Sequence, residues 1–175
     1  MTEAVLRGCE KAIAMLPKLG KVVELGACNV NGSVRPLITC DSYLGVDIQT
    51  GPGVDVLGDM TSPETLAGEA FDLVVCTETL EHVGEWADAV RTIKRLARPG
   101  GHILVSVPCP GFPYHGFPLD WWRFTAGTLR EIFADVRIVL TVPIVSEKEP
   151  EVIMLLQNEP TGVVVDYDAI DVMMV

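Results

Sequence analysis

The sequence predicts a single doubly wound α/β domain, with a mostly parallel sheet and an antiparallel hairpin at one edge. Three observations carry this. Runs such as "FDLVVCT" (71–77) and "HILVSVP" (102–108) are almost continuously apolar, as strands buried on both faces require. Helical periodicity fills stretches between the strand signals. The last two apolar runs, 136–142 and 152–156, are separated by a short joint containing "SEKEP", which suits a hairpin and is too short for a parallel crossover.

The elements follow in order. Val5, Cys9, Ala12, Ile13 and Leu16 recur at helical spacing and predict a helix over 2–16, ended by Pro17. Val22, Val23 and Leu25 form a short strand. Further strand signals lie at 43–48 and 54–57, before the two long apolar runs. Trp86, Val90, Ile93 and Ala97 share one face of a helix over 85–98, and "RPGG" (98–101) closes it. A helix over 127–133 follows, with Thr125 as its N-cap. Residues 1–160 are expected to form the domain. The tail 161–175, "TGVVVDYDAIDVMMV", has three readings: an added edge strand, a cover on the sheet, or a contact with a second copy in a homo-oligomer.

Composition narrows the function classes. The 175 residues are 49% hydrophobic, which excludes a disordered chain. The net charge of −11 disfavours a protein whose main task is to grip a nucleic-acid backbone, while a nucleotide-sized ligand stays open. Cys9, Cys28, Cys40, Cys76 and Cys109 contain no C-x-x-C pair and read as reduced thiols of a cytoplasmic protein. Glu3, Arg7, Glu10 and Lys11 precede any long apolar run, so no signal peptide is expected. The uncharged stretch 99–119 is broken by Pro108, Pro110, Pro113 and Pro118, so no membrane helix is expected there.

In an open α/β sheet the ligand lies beyond the carboxyl ends of the strands. The first strand ends in "ELGACNVNG" (24–32). A dinucleotide loop needs G-x-G-x-x-G, but the positions two and five after Gly26 are Cys28 and Asn31. A pyrophosphate site is therefore disfavoured. Asp47 ends the second strand, 21 residues past Gly26, where an acid accepts the hydrogen bonds of ribose hydroxyls. Asp59, in "GDM", suits an adenine amino group or a helix cap, and Met60 or Ile48 could pack on the base. The fourth strand ends in "CTETLEHV" (76–83), which brings Glu78, Glu81 and His82 to the cleft.

The ordered set "VVELGACNVNG", "LGVDIQ", "GDM", "FDLVVCTETLEHV" and "RLARPGGHILVSVP" resembles the class I S-adenosylmethionine-dependent methyltransferases, and within them the type 11 group. The resemblance covers about 20–135. It implies a Rossmann-like domain with S-adenosylmethionine as cofactor. It places Glu24, Gly26, Ala27 and Asn29 at the methionine half and Asp47 at the ribose. Ile48, Asp59 and Met60 fall at the adenine, and Thr77 and Glu78 at the sulfonium end. Cys28 replaces the second glycine of E-x-G-x-G. S-adenosylmethionine carries no phosphate, so its loop needs no full anion nest.

Methyl transfer is an in-line displacement in which the protein mainly aligns the acceptor. His82, His115 and Glu78 are the candidates for a general base. E-x-x-E-H (Glu78, Glu81, His82) also resembles the motif of ubiquinone-pathway O-methyltransferases, where these groups are associated with a divalent metal. The segment "PCPGFPYHGFPLDWWRFT" (108–125) is the expected acceptor side, and Tyr114, His115, Phe117, Trp121 and Trp122 offer flat surfaces. Asp120 and Arg123 read as a structural pair. The leading expectation is an O- or N-methyltransferase acting on a small-molecule or glycan-type acceptor. A non-catalytic S-adenosylmethionine-binding or regulatory protein is the alternative. A NAD-dependent oxidoreductase is a further one, which the glycine pattern disfavours.

Overall fold

The computed structural model of the chain describes residues 1–116 and 118–175. Nine strands occur among them: β1 (Leu19–Leu25), β2 (Cys40–Asp47), β3 (Val56–Leu57), β4 (Phe71–Thr77), β5 (Ala97–Pro108), β6 (Trp122–Arg123), β7 (Val136–Ile144), β8 (Glu151–Pro160) and β9 (Met173–Met174). The helices are α1 (Glu3–Ile13), α2 (Trp86–Leu96) and α3 (Ala126–Ile132). Seven strands form the main sheet in the order β3-β2-β1-β4-β5-β8-β7. β3 to β5 pair in parallel, and β8 pairs antiparallel with both β5 and β7. This is the expected doubly wound sheet with its edge hairpin.

Side chains alternate along each strand, so the sheet has two apolar faces. Val22, Leu73, Val75, Leu104, Ile153 and Leu155 meet Val5, Cys9 and Ala12 of α1. Val23, Val74, Cys76, Ile103, Val105 and Met154 face the cluster holding Val90 and Ile93 of α2 and Leu129 and Ile132 of α3. α1 runs close to the sheet: a Cβ on Gly8 would lie 2.1 Å from Ile153 Cδ1. Thr2 caps α1, its Oγ1 accepting from Val5 N–H at 3.2 Å. Thr125 caps α3 in the same way, accepting from Thr128 N–H at 3.0 Å.

One expectation about regular structure needs correction. "RPGG" lies in β5, because α2 ends at Leu96 and the strand begins at Ala97. The register jumps from Phe71↔Ala97 to Leu73↔His102, so Pro99 and the two glycines are absorbed in a bulge, with Gly100 at φ 73°. The connections β1–β2 and β2–β3 contain no α-helix. Gly26, Gly32 and Pro36 in the first, and Gly51, Pro52 and Gly53 in the second, deny helical propagation. Only a 3₁₀ turn, Arg35–Leu37, forms there.

The tail returns to its own domain. β9 pairs antiparallel with β6 in a separate two-stranded sheet. Tyr167 packs edge-on against Trp86 at 5.9 Å, and its hydroxyl accepts from Lys94 Nζ at 2.7 Å. The same ammonium donates to Asp135 Oδ1 and the Ile132 carbonyl, joining the tail to α2 and the end of α3. All five cysteines are free thiols. Among the described residues, no helix is long and apolar enough to cross a membrane.

Candidate active site

A cavity of about 820 Å³ opens beyond the carboxyl ends of β1, β2 and β4. This is within the ~300–1,000 Å³ range of small-molecule and cofactor sites. Because β8 runs antiparallel, its first residue, Glu151, reaches the same edge and lines the same cavity. The cavity therefore has a first half over β2 and β1 and a second half over β5, β8 and the loop after β5.

The first half is held mainly by backbone groups. The N–H groups of Gly26 and Ala27 both donate to the Val46 carbonyl, at 2.9 and 3.1 Å. Gly26 has φ 78°, and a Cβ there would lie 2.2 Å from Thr79 Oγ1, so the turn admits only glycine. Cys28 is the departure from the glycine pattern, and it is no backbone burden, since its φ is not positive. Its N–H donates to Asp47 Oδ2 at 3.0 Å. Its thiol lies where Gly51 leaves room: a Cβ on Gly51 would come within 2.5 Å of Cys28 Sγ.

Asp47 also accepts from Gln49 N–H at 3.1 Å through Oδ1. An ionised carboxylate has about four lone-pair sites, so capacity remains for a diol. Glu24 is buried and accepts from the Tyr43 hydroxyl at 2.9 Å. Burial pushes its carboxyl up to about 7, against the opposing effects of Tyr43 and Arg35. Asp59 is exposed and accepts from Thr61 N–H and Oγ1; the bonds close a turn and not the helix cap expected there, since no helix follows before β4. Ala27, Asn29, Ile48, Met60 and Thr77 also line the cavity. Ile48 is 66% exposed on its wall, whereas Met60 is largely buried in the core. Asn29 turns its Oδ1 to the N–H of Gly32 at 2.9 Å and so shapes the loop.

The second half rests on side chains. Glu78 follows β4 with a left-handed φ of 50°, held by its N–H to the Ser106 carbonyl at 2.9 Å. Its Oε1 accepts from Ser106 Oγ at 2.7 Å. Burial, and then the Glu81 and Glu151 carboxylates, push its carboxyl well up. Glu151 is 1% exposed; Oε2 accepts from Thr2 Oγ1 at 2.8 Å, and Oε1 has no hydrogen-bond partner. Burial raises this carboxyl as well.

His82 and His115 both line the cavity, with ring centroids 5.1 Å apart. The fully buried Glu81 sends Oε1 to within 3.6 Å of Nε2 of each. That distance is too long for a hydrogen bond, and both Glu81 oxygens lack a partner. His82 Nδ1 meets the Leu119 carbonyl at 2.6 Å. His115 is raised by the Glu81 carboxylate, against its own burial. Its backbone N–H donates to Asp120 Oδ2 at 2.8 Å. Asp120 forms a two-pronged pair with Arg123, at 2.5 and 2.7 Å, both side chains being buried. Burial raises the Asp120 carboxyl, but Arg123 and His115 outweigh it and leave it below the usual range. Arg123 also donates to the Phe112 and Pro113 carbonyls, tying the loop down.

Among the described residues, the metal-type donors that lie within 4.8 Å of one another are Glu81, His82 and His115. Glu78 is not among them, because its carboxyl is turned to Ser106; His115 stands in its place. Of the expected acceptor-side residues, His115 faces the cavity, while Tyr114, Trp121 and Trp122 lie outside its wall. Trp122 Nε1–H donates to the Val83 carbonyl at 2.9 Å, and Trp121 N–H to the Glu81 carbonyl at 2.7 Å. Both thereby brace the turn that carries Glu81 and His82. Phe117 lies outside the described residues. Sequence reasoning missed Thr2, Ser106, Phe112 and Glu151. The signal for Glu151 was one acid heading an otherwise apolar strand, "EVIMLL".

The cavity fits a cofactor without phosphates. Among the described residues no lysine or arginine lines it, and no α-helix begins at the β1 loop to meet a pyrophosphate. A family model described as a methyltransferase domain matches residues 5–135. The chain belongs to the class I S-adenosylmethionine-dependent methyltransferases.

Related proteins agree with this. The methyltransferase is 42% identical over 94 residues to a ubiquinone biosynthesis O-methyltransferase of Ralstonia nicotianae; the match covers 50% of this chain and 37% of that protein. It is 43% identical over 53 residues to the protein of that description from Alkalilimnicola ehrlichii, covering 30% and 19%. The matches thus span well under half of these relatives. In fold it is similar to the N-methyltransferase NodS of Bradyrhizobium japonicum, solved with S-adenosylhomocysteine, at TM-score 0.65 and 15% identity, covering 88% of this chain and 85% of that one. It is also similar to the 1,6-didemethyltoxoflavin-N1-methyltransferase of Burkholderia thailandensis, at TM-score 0.66 and 18% identity, covering 89% and 78%.

Proposed function

We propose that this domain transfers a methyl group from S-adenosylmethionine to a small-molecule acceptor. The observation that carries the reading is the cavity at the carboxyl ends of β1, β2 and β4, with the Asp47 carboxylate and no lysine or arginine on its described wall. When bound, S-adenosylmethionine supplies a methyl group activated on a sulfonium. Asp47 accepts the ribose hydroxyls while holding the Cys28 amide, so ligand contact and loop shape depend on one side chain. Ile48 and Met60 pack on the base, and Asp59 lies at its edge. Glu24, Gly26, Ala27, Asn29, Thr77 and Glu78 surround the amino-acid end.

On the acceptor side, His115 and His82 are the groups able to take a proton from an acceptor hydroxyl or ammonium. The Asp120–Arg123 pair, which also holds the Phe112 and Pro113 carbonyls and the His115 N–H, fixes the segment that carries His115. Thermal unfolding with and without S-adenosylhomocysteine tests the reading: binding raises the midpoint by mass action. A shift with NAD alone would overturn it.

One observation favours a metal-assisted variant. Glu81 is a buried carboxylate without a hydrogen-bond partner, flanked by two imidazoles. Glu81, His82 and His115 would hold a divalent ion, which polarises an oxygen acceptor. Turnover lost on dialysis against EDTA and restored by Mg²⁺ or Zn²⁺ supports this variant, and unchanged turnover excludes it.

A further inference from the structure

A second, smaller cavity stands outside the methyl-transfer reading. It measures about 290 Å³, is open to solvent, and lies where the tail crosses the start of α2. Trp86, Trp122, Tyr167, Ile170 and Val172 line it. Trp86 and Tyr167 meet edge to face at 5.9 Å, and the Trp122 indole N–H donates to the Val83 carbonyl at 2.9 Å. These contacts fix the aromatic walls before anything binds.

The charge of the cavity selects its occupant. Glu85, Asp168 and Asp171 also line it, and no lysine or arginine does among the described residues. Arg91 and Lys94 of α2 reach the Tyr167 ring, but they pair with Asp88 and Asp135 and not with these three carboxylates. The N-terminus of α2 opens here through Glu85, Trp86 and Ala87, and a helix N-terminus carries about half a positive charge. Three carboxylates outweigh it, so an anion is repelled and a cation attracted. The aromatic walls narrow the cation. A guanidinium is flat, stacks on rings and offers forked donors to carboxylates, whereas an ammonium is a compact, strongly hydrated charge. The fold already makes this contact outside the cavity: the Arg91 guanidinium lies 4.7 Å over the Tyr167 ring.

The surroundings indicate what carries the guanidinium. Val172 leads from the cavity into β9, which pairs with β6. Around that pairing Leu119, Trp121, Met173, Met174 and Val175 are all exposed, Met174 by 63%. The Val175 N–H donates to the Trp121 carbonyl at 2.9 Å, so the five residues belong to one patch of backbone. An exposed apolar border beside a pocket for one charged anchor is the anatomy of a protein-docking site. We infer that this cavity and its border dock a protein partner through an arginine side chain flanked by apolar residues. Gly84 and Glu85 line both this cavity and the large one, so the docked arginine sits behind the turn that carries His82.

Blocked tripeptides test it: acetyl-leucyl-X-leucinamide, with arginine, norleucine or glutamate at X. All three tryptophans of the chain, Trp86, Trp121 and Trp122, belong to this region, so intrinsic fluorescence reports binding. The arginine peptide is expected to bind at least about ten-fold more tightly than the norleucine peptide, and the glutamate peptide weakest. Asp168→Asn combined with Asp171→Asn should weaken the arginine peptide by about five- to ten-fold, as the loss of two ion pairs with an exposed edge. Both side chains are exposed, so the fold is kept. Equal affinity for arginine and norleucine, or arginine binding untouched by the double substitution, overturns the docking site. So does an arginine peptide that fails to bind at millimolar concentration. Methylguanidinium is the last probe, and it is expected to bind far more weakly than the peptide. Affinity equal to that of the peptide would mark a site for a free small cation and overturn the protein partner.

Discussion

The two halves of the cleft are built by different means. Over β1 and β2 the wall is set by backbone bonds at strand ends: Gly26 and Ala27 to Val46, and Cys28 to the Asp47 side chain. Over β5 and β8 it is set by side chains from distant segments: Glu78 on Ser106, Glu151 on Thr2, and His115 on Asp120. A site placed by strand ends inherits the rigidity of the sheet, so one loop residue can change from glycine to Cys28 if Gly51 gives way. A site placed by side chains depends on a few buried polar contacts, and each contact is a point of failure.

The largest effect should come from breaking the clamp of the second half. Arg123→Met leaves Asp120 buried without its partner, which is expected to cost ~3–5 kcal/mol of stability. Urea unfolding measures the loss. Calorimetry should find S-adenosylhomocysteine affinity nearly unchanged, because Arg123 bonds Asp120, Trp122 and the loop backbone and lies over the Phe112 ring, all on the acceptor side. A matching collapse of cofactor affinity would show that the halves are not separable.

Next in size is a pH effect in the first half. Glu24 is raised to about 7 in the folded chain from its ordinary 4.5. The folded state therefore holds this proton where the unfolded state has lost it. The stability it contributes is full below about 4.5 and is lost as pH rises through about 7, ~3 kcal/mol in all. Glu24→Gln should remove this part of the pH dependence, so the gap between the two urea profiles should change across that window. Parallel profiles would contradict the assignment.

The smallest effect concerns the tail. Tyr167→Phe deletes one acceptor of Lys94 and should cost ~1 kcal/mol. It should loosen β9 and, through its pairing with β6, the turn beside the acceptor loop, as hydrogen exchange at Trp122 and Arg123 would report. Unchanged exchange there would mean that the tail merely covers α2.

Legibility followed the same division. The sheet, its hairpin, Thr125 as a cap and Asp47 at a strand end could all be read, because period and spacing along the chain fix them. "RPGG" was misplaced because glycine and proline mark a bulge as readily as a helix stop. Glu151 and Thr2 are 149 residues apart in sequence, and no local pattern brings them together. Likewise E-x-x-E-H grouped Glu78 with Glu81 and His82, whereas the Ser106 bond turns Glu78 away and the loop supplies His115.

Calorimetric titration of S-adenosylhomocysteine into the unaltered protein and into Asp47→Ala tests the central claim most directly, with NAD as the control ligand. The account predicts saturable binding by the unaltered protein and none of NAD. Loss of two charge-assisted hydrogen bonds in Asp47→Ala should weaken binding by about 100-fold or more. Binding of NAD in place of S-adenosylhomocysteine, or full affinity in Asp47→Ala, would contradict it.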